Sequence, residues 1–143
     1  MLYARRALIR ELAAYGIRCR IDAMKILYAL FAAAILALGV LHMATTFRLS
    51  SSPVAKVWFF GAGMALALAG VLNFLNRRYG LAAFGLRAAC IGTNLPMVCF
   101  ASIAGRVTGA SVTEQVVMLT VLISALVLSA LRSASIGPQT PRA

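Results

Sequence analysis

Four long apolar stretches, separated by short polar breaks, set the pattern of this chain. They lie at about 24–43, 54–75, 81–105 and 114–131. The second is the clearest: Lys56 is its only charge, and its 22 residues at a rise of ~1.5 Å reach roughly 33 Å, enough for a hydrocarbon core of ~30 Å. Local signals bracket it. Ser52 followed by Pro53 is a helix start, and Gly80 is a stop after Asn76, Arg77, Arg78 and Tyr79. Asp22 is a candidate N-cap for the first span. Ser111-Val-Thr-Glu114 fits a capping box for the fourth. The connections at 44–53, 76–80 and 106–113 are short, which makes consecutive spans antiparallel neighbours. The predicted fold is all-α, an integral membrane four-helix transmembrane bundle.

Ahead of the first span, residues 2–15 are amphipathic in helical register. Leu8, Leu12 and Tyr15 share one face, and Arg6 and Arg10 lie on another. With Gly16 as C-cap, this predicts a basic amphipathic helix lying in the headgroup plane. The expected organisation is therefore an interfacial segment at 1–22, the bundle at 23–131, and a polar tail, RSASIGPQTPRA, at 132–143.

Two stripes of small residues run along the spans. Gly61, Ala65 and Ala69 recur every four residues in span two, and Trp58, Leu72 and Asn76 extend that face. Ala29, Ala33 and Ala37 do the same in span one. Such spacing lets another helix backbone come close. Polar residues form a second pattern. Arg87, Cys90 and Asn94 share a face of span three, Thr120 and Ser124 share one on span four, and Asn73 and Asn76 sit near the end of span two. Arg87 has two places to go: back to the interface, or into the bundle, where a charge marks a functional site by default. Pro96 frees a backbone carbonyl within span three, with Thr93 or Asn94 at hand to meet it.

Composition agrees. Of 143 residues 62% are hydrophobic and 12% charged, and the mean hydropathy is +0.92. A net charge of +11 raises a nucleic-acid reading, but the cations flank the apolar runs, as the positive-inside rule requires. Arg5, Arg6, Arg10, Arg18, Arg20, Lys25, Arg77, Arg78, Arg87, Arg132 and Arg142 fall on one side, and only Arg48, Lys56 and Arg106 on the other. That imbalance predicts both termini in the cytoplasm. The Arg5-Arg6 pair does not make a cleaved signal, because the first apolar run is too long for one. The alanine- and arginine-rich composition points to a bacterial inner membrane.

Candidate chemistry is sparse. Glu11, Asp22 and Glu114 are all peripheral, so no carboxylate lies within a span for proton or cation coupling. HExxH and GxSxG are absent. His42 is the only histidine, too few for a bis-histidine haem or a His-rich metal site. Cys19, Cys90 and Cys99 include no CxxC pair. Cu(I) at Met97 with Cys90 or Cys99 is disfavoured because those cysteines point to different faces. Cys19 beside a basic segment is a weak lipidation signal. No cofactor is expected.

The first functional expectation is a non-enzymatic membrane protein that works through helix–helix association, as a homo-oligomer or with another membrane protein, using the small-residue stripes amid membrane lipids. The alternative is a transporter or binding protein for a lipid-like or small amphipathic anion, with Arg87, Asn94, Thr120 and Ser124 lining a polar seam. A membrane enzyme using Arg87, His42 or Glu114 is the third.

Overall fold

In a computed structural model the chain is all-helical. The structure describes residues 2–48, 50–131 and 134–135, with the side chains of 2–10, 13 and 14 outside that description. Helix α1 spans Leu2–Thr46, α2 Pro53–Tyr79, α3 Phe84–Thr108 and α4 Val112–Ala130. Among the described residues four segments are long and apolar enough to cross a membrane: Tyr15–Thr46, Pro53–Tyr79, Phe84–Thr108 and Val112–Ala130.

The helices run up and down in sequence order. α1 packs most extensively on α2, and α3 on α4. α4 closes the ring against α1, and α2 reaches across the middle to α4. One end of the bundle therefore gathers the start of the first span with the end of α2, the start of α3 and the end of α4. At that end the Arg77 Nε donates to the Lys25 carbonyl at 2.9 Å.

The ends are built largely as local chemistry dictates. The Ser52 hydroxyl accepts from the Ala55 amide at 3.3 Å, with Pro53 opening α2. Ser111 and Glu114 form a reciprocal capping box on α4: Glu114 N–H donates to Ser111 Oγ at 3.2 Å, and Ser111 N–H to Glu114 Oε2 at 2.9 Å. Gly80 closes α2, donating its N–H to the Asn76 carbonyl at 2.7 Å. Gly109 ends α3 with φ of 67°, the only left-handed backbone among the described residues. A side chain is strained in that conformation, and glycine is not.

Gly16 does not behave that way. It lies inside α1, which carries through it without a break for 45 residues, roughly 67 Å. A glycine costs about 1 kcal/mol in a helix interior but stops a helix only where the chain turns left-handed. Residues 15–20 are all exposed, so this part of α1 stands beyond the bundle. The side chains of Leu8, Arg6 and Arg10 lie outside the described residues.

The core is a column of small and medium apolar residues. Ile35, Leu66, Ala69, Leu122 and Ala125 are buried together, with Phe31, Met97, Val98, Ala101, Met118 and Val121 packed around them. Tyr28, Leu128 and Ala134 form a second cluster at the basic end.

Glycines mark a close backbone approach between α1 and α2, and they are not the glycine and alanines of the predicted stripes. A Cβ on Gly63 would stand 2.8 Å from His42 Cβ and 2.9 Å from the Gly39 carbonyl, and one on Gly70 would stand 2.7 Å from the Leu36 amide nitrogen. Gly39 is wedged the same way against Gly63 and Ala67. Of the stripe in α2 only Ala69 is buried. Ala65 is exposed, and nothing lies within 4 Å of a Cβ placed on Gly61. Ala33 and Ala37 are exposed and Ala29 is half-buried. The reason is geometric. A strict four-residue repeat advances about 40° per step around a helix of 3.6 residues per turn. The stripe beginning at Gly61 winds from the outer face to the core, whereas Gly63, Leu66, Gly70 and Asn73 alternate steps of three and four and stay on one side.

Candidate functional site

Within the apolar core sits a cluster of hydrogen-bonding side chains from α1, α2 and α3, tied to a backbone carbonyl of α4. Asn73 on α2 and Asn94 on α3 are paired through their amides. Asn73 Nδ2 donates to Asn94 Oδ1 at 2.9 Å, and Asn94 Nδ2 donates to Asn73 Oδ1 at 3.0 Å. Asn73 Nδ2 also reaches its own helix at the Ala69 carbonyl, 2.8 Å away. Tyr28 on α1 donates its hydroxyl to Asn73 Oδ1 at 3.0 Å and accepts from Asn76 Nδ2 at 2.8 Å. Asn76 Nδ2 also donates to the Ser129 carbonyl of α4 at 3.3 Å. The Cys90 thiol lies 3.4 Å from Asn73 Oδ1 and 3.7 Å from the Tyr28 hydroxyl. Tyr28, Asn73, Asn76, Cys90 and Ser129 have no exposed surface, and Asn94 has almost none.

Each member is placed by helical spacing. Tyr28, Ala32, Ile35 and Gly39 form the buried side of α1, and Tyr28 is its polar end. Asn73 and Asn76 continue the seam that Gly63, Leu66 and Gly70 begin. Cys90 and Asn94 are one turn apart on α3. Beyond α4 the chain turns back over this cluster. Ala134 is fully buried against Tyr28 and Leu128, and Ser135 Oγ donates to the Asn76 carbonyl at 3.4 Å. Of the expected polar tail, only these two residues lie within the described residues. One atom is left over: Asn76 Oδ1 is buried without a hydrogen-bond partner, and it lies where a Cβ on Gly80 would stand.

Arg87 belongs to a different place. Its guanidinium leaves the cluster and donates from Nη2 to the Ala130 carbonyl. That carbonyl is one of the free acceptors at the C-terminus of α4, where a cation is also favoured by the helix dipole. The Ser129 and Ala130 carbonyls are thus held by side chains of α2 and α3. On its outer side Arg87 borders an open groove lined by Phe84, Ala88, Ile91, Gly92 and Ala130.

No protein-family model, curated protein or solved structure matches the chain.

The structure brings Asn94 to Asn73, not to Arg87, and it does not bring Thr120 and Ser124 to either. Thr120 is exposed and Ser124 half-buried. The predicted seam is therefore two features: a closed amide cluster and a separate arginine at the groove. Thr93 and Asn94 do not serve Pro96. Thr93 Oγ1 donates to the Ala89 carbonyl at 2.9 Å, and Asn94 is spent on Asn73 and Cys90. α3 continues through Pro96 to Thr108.

His42 is half-buried. It stacks on Phe59 with ring centroids 4.5 Å apart, and its Nδ1 lies 3.2 Å from the Leu38 carbonyl. Glu114 caps α4 at the end opposite Ala130 and Arg87, separated by most of a 19-residue helix, roughly 24 Å. Arg87, His42 and Glu114 do not converge on one reaction centre. Cys90 is buried and Cys99 exposed, on different sides of α3. Among the described residues no three His, Cys, Asp or Glu side chains gather as metal ligands.

Sequence reasoning missed Tyr28 and Ser129. The usable signal was spacing: Tyr28 lies four and seven residues before Ala32 and Ile35, and Ser129 four after Ala125.

Proposed function

We infer that this chain is a bacterial inner-membrane protein, with both termini cytoplasmic, that acts through lateral association with a second copy or another membrane protein. The observation that carries the reading is the small-residue surface left unused by the bundle. Gly61 and Ala65 on α2 look outward over open space, as do Ala33 and Ala37 on α1. In lipid, where apolar burial drives no association, helices meet through close backbone approach at small residues. The amide cluster supports a structural role for the interior, since its side chains bond one another across α1, α2 and α3 and reach a backbone carbonyl of α4.

The orientation rests on charge. Lys25, Arg77, Arg78 and Arg87 gather at one end and Arg48, Lys56 and Arg106 at the other, and the richer end faces the cytoplasm. Leucine at Gly61 and at Ala65 tests the association. The expected result is a shift to smaller species in mild detergent, with the melting midpoint unchanged. A distribution identical to the parent protein removes the reading.

A further inference from the structure

The groove beside Arg87 has a use that association does not require. Arg87 lies in the first turn of α3, at the level where a membrane-spanning helix meets the headgroups. A guanidinium carries five N–H donors in a planar fork that matches phosphate oxygens. One is used on the Ala130 carbonyl, which fixes the group at the mouth of the groove. Among the described residues the only ion pair is Lys25 with Asp22, at 3.2 Å, so none of their carboxylates neutralises Arg87.

Below the charge the groove is apolar. Phe84 stands at its mouth, 82% exposed. Ala88, Ile91 and Gly92 follow down the same side of α3, and a Cβ on Gly92 would meet nothing within 4 Å. From Phe84 to Gly92 the helix rises roughly 12 Å, the length of the first eight or so methylenes of an acyl chain. A cation at headgroup depth above a smooth apolar channel is complementary to one class of molecule. We propose that this groove binds an anionic phospholipid, with Arg87 on the phosphate and the start of an acyl chain lying along Ala88, Ile91 and Gly92.

The test is lipid retention by the purified protein in mild detergent, read by native mass spectrometry with phosphatidylglycerol and phosphatidylcholine offered together. The parent protein is expected to keep phosphatidylglycerol in preference. Arg87→Gln removes the charge and lowers that preference roughly fivefold, the worth of about one basic side chain at an anionic surface, whereas Arg87→Lys keeps most of it. Gly92→Leu fills the channel without touching the Arg87–Ala130 contact and lowers retention while the melting midpoint holds. Soluble glycerol phosphate at millimolar concentration does not compete, because it lacks the chain. Equal retention of the two lipids by the parent protein overturns the proposal. So does undiminished phosphatidylglycerol on either Arg87→Gln or Gly92→Leu, and so does displacement by glycerol phosphate, which assigns Arg87 to a soluble anion instead. The oligomer distribution is read on separate variants, so loss of this site and loss of association are distinguishable.

Discussion

The Asn73–Asn94 pair joins α2 to α3 deep inside the bundle, and its removal has a calculable shape. Leucine at position 73 keeps the approximate outline of asparagine but loses both amide groups. Asn94 Oδ1 then has no donor, and the Tyr28 hydroxyl, which still accepts from Asn76 Nδ2, loses its best acceptor and is left with only the 3.7 Å contact to Cys90 for its proton. Asn94 Nδ2 falls back on the Cys90 sulfur at 3.6 Å. A buried polar group left unpaired costs about 1–3 kcal/mol, while interhelical hydrogen bonds in membranes average about 0.6 kcal/mol. Asn73→Leu should therefore destabilise by about 2 kcal/mol. Asn94→Leu should cost about half as much, since Asn73 keeps Tyr28 on its oxygen and the Ala69 carbonyl on its nitrogen. The double variant strands neither amide, so its cost should stay near 2 kcal/mol, which leaves a coupling of about 1 kcal/mol. The assay is reversible unfolding in mixed micelles, titrated with dodecyl sulfate and followed by helicity. Energies that add within about 0.5 kcal/mol, or a neutral Asn73→Leu, would refute the claim that this pair is a coupled tie between helices.

Other outcomes follow from the same geometry. Gly63→Ala and Gly70→Ala should each lower stability by about 1–3 kcal/mol, because the added Cβ meets α1 at under 3 Å, while Gly61→Ala should be neutral. A thermal melt that treats the three alike would contradict the close approach. Ser111→Ala should cost about 1 kcal/mol by opening the capping box of α4, measured in the same unfolding assay. In intact cells a membrane-impermeant maleimide should leave Cys19 unlabelled until the membrane is opened, if the N-terminus faces inward. In detergent Cys90 should resist thiol reagents while the fold holds, because it has no exposed surface. Deleting residues 132–143 uncovers the end of the bundle where Ala134 and Ser135 pack, so Cys90 should react faster in that variant.

What the sequence determined by itself was most of what depends on one helix at a time, though not the start of the first span, where Gly16 and Asp22 lie inside an unbroken α1 rather than capping it. The apolar runs, the caps at Ser52, Gly80 and Ser111, and the charge balance between the two ends are local or additive properties, legible without knowing any neighbour. The presence of Asn73, Asn76 and Asn94 in apolar surroundings already announced a polar interior. Which of them would meet was not legible. Arg87 and Asn94 share a face in projection, yet Asn94 turns to Asn73 while Arg87 reaches the end of α4. Nor did spacing reveal that Gly39, Gly63 and Gly70 make the close contact while Gly61 and Ala65 look outward. A helix offers several faces of similar composition, and a few degrees of rotation choose among them. Only packing against the other three helices supplies the energy that makes the choice.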